Sequence, residues 1–162
     1  MTALPRIAIV LDRLRSAHNV GNIFRIAEAI GAAEIICCGY TPAPPHPKLE
    51  KTAMGADKMV PCRTFPSSLA AVEALRAEGY AQIVAAEPFP DSPDAWDAEY
   101  KFPLAIIFGN EALGVDPDTL KIVDGCIGLP MFGQKASINV GNSAAAIVYA
   151  VAAYCKKNQS PA

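Results

Sequence analysis

The residues of this chain that could carry chemistry stand in three short segments, of which the first is residues 19–25 (NVGNIFR). Asn19 or Asn22 can cap a helix that begins here, and the exposed N–H groups of a helix start attract an anion such as a phosphate. Arg25 falls within the first turns of that helix and can reach the same anion. A capped helix with an ordinary surface arginine also fits, so this segment alone leaves both interpretations open.

The second segment, residues 108–114 (FGNEALG), follows directly after the apolar run LAII. Two glycines bracket Glu111, and glycine lets the backbone approach a ligand closely. Because ligands of α/β sheets bind beyond the carboxyl ends of the strands, Glu111 stands where catalysis is usually found. A glycine-rich turn with a solvated glutamate is the alternative.

The third segment, residues 129–140 (LPMFGQKASINV), leads into the last apolar stretch of the chain. It supplies Ser137 and Asn139, which either shape a ligand pocket or cap the following helix. The letters GQKAS lack the GxxxxGK[ST] spacing of a P-loop, and no GxGxxG follows the first strand. No GxSxG motif or Cys/His pairing favours acyl chemistry. The common nucleotide-binding and hydrolase motifs are therefore absent from the sequence.

Strands and helices alternate along the chain and must position these segments. Short apolar runs predict strands at Arg6–Leu11, Glu34–Tyr40, Met59–Arg63, Gln82–Ala86, Leu104–Phe108 and Cys126–Leu129. Helical periodicity and capping residues predict helices at Asn19–Ile30, Lys48–Met54, Ser67–Glu78, Pro117–Val123 and Asn142–Lys156. The proline-rich stretch Thr41–Pro47 predicts an exposed loop. Uninterrupted apolar strands with helices between them predict one α/β domain over residues 1–156, a mostly parallel sheet with helices on both faces, and a short tail at residues 157–162.

The composition limits the possible functions. Hydrophobic residues make up 52% of the 162 residues, which favours a packed core over disorder. No apolar run approaches the roughly 20 residues of a membrane span, and no leader precedes the first strand, so we expect a cytoplasmic protein. The cysteines are Cys37, Cys38, Cys62, Cys126 and Cys155. They lack disulfide or metal-ligand spacing, so we expect structural thiols and no metal site.

Taken in order, the three segments resemble the signature motifs of SpoU-type RNA ribose 2′-O-methyltransferases, in the SPOUT superfamily. The first motif is NVGNIFR followed by IGA at residues 30–32, the second is IIFGNEALGV at residues 106–115, and the third is LPMFGQKASINVGNSAA at residues 129–145. The stretch KTAMGADKMVP at residues 51–61 is also similar to a middle segment of these enzymes. The resemblance spans about residues 19–150.

This resemblance implies a C-terminal trefoil knot whose walls bind S-adenosylmethionine (SAM), mainly through backbone groups. The positions that match those walls are Ala85, Gly109, Leu129, Ser137 and Ile138. The positions that match the catalytic residues are Arg25, Asn19, Glu111, Ser137 and Asn139. The resemblance also implies a homodimer whose active site is completed across the interface.

The resemblance gives Arg25 the role of activating the ribose hydroxyl. Because a guanidinium stays protonated at neutral pH, it suits stabilisation of the developing alkoxide and contact with a neighbouring phosphate better than a base role. We expect Glu111 to orient Arg25 or a residue of a second subunit. We expect Ser137 and Asn139 to shape the pocket.

The RNA substrate implied by the resemblance is tRNA or rRNA, with tRNA preferred. A net charge of −2 and a pI near 5.6 count against a surface coated with cations, so RNA contact must be local or assisted by another domain or subunit. Candidate RNA-binding side chains are Arg13, Arg15, His18, Lys48, Lys51, Lys58 and Arg63, and a solvated charged face is the alternative. Two alternatives stay open: a SAM- or RNA-binding module that acts only with a partner, and a small-molecule enzyme that binds a nucleotide or sugar phosphate at residues 19–25.

Overall fold

The structure is a computed structural model, and it describes residues 3–158. The strands are β1 (Ile7–Asp12), β2 (Glu34–Cys38), β3 (Cys62–Phe65), β4 (Gln82–Ala86), β5 (Leu104–Gly109) and β6 (Gly125–Ile127). The helices are α1 (Ala17–Ile30), α2 (Pro47–Ala53), α3 (Ser68–Ala77), α4 (Pro117–Leu120) and α5 (Val140–Asn158), with a 3₁₀ turn at Ala56–Lys58. The strands form one sheet in the order β3-β2-β1-β5-β4-β6, and all of its pairings are parallel. The predicted α/β fold with a parallel sheet is therefore confirmed.

Alternation of side chains along each strand feeds two separate cores. On one face, Ile9 and Ile106 pack with the buried sides of α1 and α5. On the other face, Val10 and Ile107 pack with α3. Because adjacent residues point to opposite faces, a strand that is covered on both sides must be apolar throughout. The first five residues of β1 are accordingly apolar and buried, and the strand ends at the buried Asp12.

The second helix packs closely against the first at Gly21. A Cβ at this position would overlap the Thr52 side chain and the backbone of α2. The Thr52 hydroxyl also donates to the backbone oxygen of His18 at 3.0 Å, which ties α2 to the first turn of α1. Gly21 thus allows α2 itself to pack against the first turns of α1.

Helix α1 begins earlier than predicted because its capping residue is Ser16. The first helix begins at Ala17 because the Ser16 hydroxyl accepts the N–H of Asn19 at 3.2 Å. Asn19 and Asn22 lie inside the helix, so the prediction that one of them caps it was wrong. Ser67 caps α3, as one of the two predicted alternatives had it.

Other element boundaries also shift by a few residues. The third strand begins at Cys62 instead of Met59, because the residues before it form the 3₁₀ turn. Helix α4 is a single turn that ends at Leu120. Helix α5 begins at Val140 and continues through Asn158, so the first two residues of the predicted tail are helical, and residues 159–162 lie outside the described residues. The trefoil knot stays a prediction.

Candidate active site

The carboxyl ends of β4, β5 and β6 meet at one edge of the sheet and surround a cavity of about 410 Å³. Its walls are the segments that follow these strands and the stretch that leads into α5. Ile127 and Ile147 lie on its apolar side, and Glu87 and Glu111 place two carboxylates on it. Small-molecule sites typically span about 300–1,000 Å³ and combine apolar walls with a few polar groups. The cavity therefore has the size and character of a ligand site.

Glu111 lies on the cavity wall and binds the turn that precedes α1. Its carboxylate accepts the backbone N–H of Arg15 at 3.0 Å and that of Ser16 at 3.2 Å. The Asn19 side-chain amide donates to the same carboxylate at 3.4 Å. The second and the first sequence segments are thus joined directly.

These hydrogen bonds change the acidity of Glu111. Partial burial acts to raise the pKa of its carboxyl, but the backbone N–H groups of Arg15 and Ser16 and the amide of Asn19 outweigh it, so the pKa lies below its ordinary value. The Glu111 carboxylate therefore serves as the hydrogen-bond acceptor that holds the turn before α1.

Asn139 joins the third segment to the first. Its Nδ2 donates to Asn19 Oδ1 at 3.1 Å, and its Oδ1 accepts the N–H of Gly141 at 2.8 Å and that of Asn142 at 3.3 Å. A Cβ at Gly141 would lie 3.0 Å from Asn139 Oδ1, so the glycine makes room for this amide. Asn139 therefore both caps α5 and completes a chain of side chains from Glu111 through Asn19 to the start of α5.

Five residues were predicted to line the cofactor site, and four of them lie on the cavity wall: Gly109, Leu129, Ser137 and Ile138. Ala85 is fully buried in the core on the other face of the sheet, and the next residue, Ala86, lines the cavity in its place. The placement of Ala85 at the cavity was wrong because a shift of one residue along a strand reverses the face. Ser137 is exposed on the wall and forms no hydrogen bond within residues 3–158.

Arg25 is not brought to the cavity within one chain. Its guanidinium donates to Met54 Sδ at 3.5 Å, and both side chains are exposed. Glu111 instead takes its donors from Arg15, Ser16 and Asn19. The expectation that Glu111 orients Arg25 of the same chain was therefore wrong, because Arg25 lies nearly two turns further along α1.

Sequence reasoning missed Asn110, which shapes the turn that carries Glu111. Asn110 is buried; its Nδ2 donates to the backbone oxygen of Arg13 at 2.6 Å, and its Oδ1 accepts the N–H groups of Ala112 and Leu113. An asparagine between two glycines at a strand end is a signal of such a turn. That signal was present in the sequence and was not used.

Asp12 and Glu87 were also missed, and both fix the same turn from neighbouring strands. The buried Asp12 accepts the N–H of Asp116 at 2.7 Å. Glu87 accepts the N–H of Val115 at 2.6 Å and lies so close to Gly114 that a Cβ there would overlap it. Asp12 ends the apolar strand β1, and Glu87 directly follows the apolar strand β4. Because the backbone groups that they bind are distant in sequence, no local sequence pattern could have identified either carboxylate.

Two further features concern the described residues only. Among residues 3–158, no helix combines the length and the apolar character needed to cross a bilayer. Over the same residues, no three side chains of His, Cys, Asp or Glu come together as a metal site.

Comparison with known proteins identifies the family. Residues 6–149 match the model of the SpoU rRNA Methylase family. The chain is 30% identical over 145 residues to the tRNA (guanosine(18)-2′-O)-methyltransferase of Thermus thermophilus, and the match covers 90% of this chain and 73% of that enzyme. It is also 30% identical over 146 residues to the 23S rRNA (uridine(2479)-2′-O)-methyltransferase of Streptomyces viridochromogenes, covering 88% of this chain and 51% of that enzyme.

A solved structure supports the same family. A SpoU methyltransferase of Streptomyces viridochromogenes in complex with AdoMet (SAM) superimposes with a TM-score of 0.85 and 28% sequence identity, covering 97% of this chain and 63% of that chain. The chain thus spans less than two thirds of this structural relative, and about half of the Streptomyces rRNA enzyme. The family predicted from the three motifs is confirmed: the chain belongs to the SpoU rRNA methylase family of SAM-dependent RNA methyltransferases.

Proposed function

We propose that this chain transfers a methyl group from SAM to a ribose 2′-hydroxyl of RNA, with tRNA as the preferred substrate. The observation that carries the proposal is the hydrogen-bonded chain Glu111–Asn19–Asn139 beside the cavity. It unites one residue from each of the three motif segments at the carboxyl edge of the sheet. Fixed polar groups beside a small-molecule cavity are what a group transfer between two bound reactants requires.

The cavity fits SAM in size and charge. Its volume of about 410 Å³ is in the range of cofactor sites. Leu129 and Ile138 offer an apolar wall, and Glu87 and Glu111 offer negative charge to a cationic ligand. SAM, when bound, supplies a methyl group on a positively charged sulfur. Gly109, Leu129, Ser137 and Ile138 are the residues that would hold it.

The residues around the cavity act by keeping the reacting groups aligned. Glu111 is bound by two backbone N–H groups, and Asn139 is bound at both ends of its amide. Such side chains do not need to reorganise when substrate arrives, and alignment of this kind can lower a barrier by roughly 7–11 kcal/mol. A cationic group is still needed to stabilise the oxygen that loses its proton.

Arg25 supplies that cation in this proposal, from a second copy of the chain. It is exposed, and within residues 3–158 it has no carboxylate partner. An arginine without a carboxylate partner that lies outside its own cavity can serve the cavity of a second subunit in a homodimer. The homodimer, like the trefoil knot and the cytoplasmic location, stays a prediction.

The preference for tRNA is supported by the extent of the match. The Thermus tRNA enzyme is covered over 73% of its length, against 51% for the Streptomyces rRNA enzyme. The tRNA enzyme therefore has less sequence outside the shared region.

The direct test is transfer of radiolabelled methyl from SAM to bulk tRNA and, separately, to rRNA. We expect label in the tRNA pool at linkages that resist alkali, and its loss in Arg25→Ala with SAM affinity unchanged by calorimetry. Arg6→Ala is the matched control, because Arg6 pairs with Glu78 at the opposite end of the sheet. SAM binding without label in either pool would favour a module that needs a partner. Phosphate-dependent ligand binding without SAM binding would favour a small-molecule enzyme.

The role of Arg25 across the dimer has its own test. Arg25→Ala keeps a normal cavity, whereas Ile138→Arg places a bulky cation on the cavity wall and keeps Arg25. Each variant alone should be inactive. Co-expressed, they should recover about a quarter of wild-type activity, because half of the dimers are hybrids with one intact site. No recovery would show that Arg25 does not act in the partner's cavity.

A further inference from the structure

A second cleft, of about 370 Å³, lies beside the start of α1. One wall is formed by Arg15, in the turn before α1, and by His18, in the first turn of α1. The other wall is formed by His46, at the end of the proline-rich loop, and by Lys48, in the first turn of α2. Every ionisable side chain that lines this cleft is basic or histidine, and no carboxylate lines it. In a protein with a net charge of −2, such a cleft is a local concentration of positive charge.

The cations of this cleft are free, in contrast to other basic residues of the chain. Within the part of the chain that the structure describes, the side chains of Arg15, His18 and Lys48 are exposed and form no hydrogen bond or salt bridge. Arg13 is held by Asp12, and Arg63 by two glutamates. The predicted RNA contacts of Arg13 and Arg63 are therefore not supported, because both guanidinium groups are paired with carboxylates of the same chain.

His46 adds a hydrogen-bond donor of fixed orientation. Its Nδ1 accepts the N–H of Leu49 at 3.4 Å and caps α2. A neutral imidazole whose Nδ1 is an acceptor carries its proton on Nε2. The ring therefore offers an N–H donor and no acceptor to a ligand.

The cleft and the catalytic cavity share one turn of the backbone. The N–H groups of Arg15 and Ser16 bind Glu111 on the cavity side, while the Arg15 side chain lines the cleft. The opposite wall is fixed by the Thr52–His18 hydrogen bond at 3.0 Å. A polymer that enters the cavity with one unit can therefore place a neighbouring unit in the cleft.

We propose that this cleft binds a backbone phosphate of the RNA next to the nucleotide in the catalytic cavity. The proposal rests on the proposed function. A phosphodiester carries one negative charge and only acceptor oxygens, which matches a cleft whose ionisable side chains are arginine, lysine and histidine with no carboxylate among them. The contact is independent of base identity, so it positions the strand without specifying sequence.

The test compares two double variants that remove the same charge. Arg15→Ala/Lys48→Ala removes two cations of the cleft, and the backbone N–H of residue 15 that binds Glu111 is retained. Lys51→Ala/Lys58→Ala removes two exposed cations outside it. The probe is unfractionated tRNA with a fluorescein label, and its Kd is measured by anisotropy over a range of KCl concentrations, alongside the KM for tRNA and the Kd for SAM.

We expect the cleft variant to weaken tRNA binding and raise the KM for tRNA about tenfold, and to reduce the slope of log K against log salt by about 1.5. Its SAM affinity should equal that of wild type. The control variant should change the Kd by less than about threefold. An unchanged salt slope, or equal losses in both variants, would overturn the proposal.

The outcomes separate this proposal from the proposed function. If wild type methylates tRNA and the cleft variant has a normal KM, the cleft proposal fails and the function stands. If wild type methylates no RNA but the cleft variant alone loses tRNA binding, the proposed function fails, and only the binding of an RNA phosphate in the cleft stands.

Discussion

Asn139 performs two tasks with the two ends of one amide, and two substitutions separate them. Its Oδ1 caps α5, and its Nδ2 binds Asn19. Asn139→Ala removes both contacts. Asn139→Asp keeps an oxygen for the cap but replaces the donor to Asn19 with a second oxygen. Asn19 cannot compensate by rotating its amide, because rotation would turn its own oxygen towards the Glu111 carboxylate.

The expected losses follow from these contacts. Removal of an asparagine cap costs about 1 kcal/mol of the free energy of unfolding, and a partly exposed side-chain hydrogen bond adds at most about 1 kcal/mol. Asn139→Ala should therefore lose about 1–2 kcal/mol, with a melting temperature lower by roughly 2–4 °C for each kcal/mol. Asn139→Asp should stay within about 0.5 kcal/mol of wild type, because aspartate caps as well as asparagine and interacts favourably with the helix dipole.

The two variants should differ in stability but should both lose methyl-transfer activity. Since both lose the bond to Asn19, both should lose turnover by about tenfold or more at saturating SAM. Stability is measured by urea unfolding followed by circular dichroism, and turnover by initial rates of methyl transfer. Asn158→Ala, at the other end of α5, is the control that should keep full turnover. Full activity of Asn139→Asp would refute the role of the Asn19 contact, and equal destabilisation of both variants would refute the cap.

Three further predictions concern stability. Gly21→Ala should lose about 1–3 kcal/mol in urea unfolding because its Cβ would overlap α2, whereas Gly125→Ala, with nothing within 4 Å, should stay within about 0.5 kcal/mol; equal effects would contradict the close packing. Because the pKa of Glu111 is lowered in the folded state, its stabilisation relative to Glu111→Gln should be complete above pH 4.5 and decrease as the pH falls through the lowered pKa; a pH-independent difference would contradict the hydrogen bonds. Arg63→Met should lose about 2 kcal/mol in thermal unfolding, because it leaves the buried Glu34 carboxylate without its two bonds at 2.7 and 2.8 Å; an unchanged melting temperature would show that solvent replaces them.

The fold was predictable because the central strands carry a local signal. A parallel sheet that is covered on both faces requires apolar residues in its central strands, and β5 and the first five residues of β1 meet this requirement. Boundaries were less predictable, because a cap depends on one side chain and several candidates stood close together. Ser16 lies three residues before Asn19, and either type caps well.

The site was predictable in its members but not in its connections. Asn19, Glu111 and Asn139 were identified from motifs, and the structure joins them over separations of 92 and 120 residues. Arg25 came from the same motif as Asn19, yet the helix carries it away from the cavity. A motif records which residues are needed and leaves open whether one chain or two bring them together.

Net charge was a poor guide to RNA contact for a physical reason. The chain carries 14 lysine and arginine residues against 16 acidic ones, which favours weak attraction to RNA when all charges are counted alike. An ion pair inside the protein contributes little field outside it, so Arg13 and Arg63 attract a phosphate far less than Arg15 and Lys48 do. The quantity that decides RNA binding is the number of unpaired cations around one cleft, and only the folded chain shows which cations are unpaired.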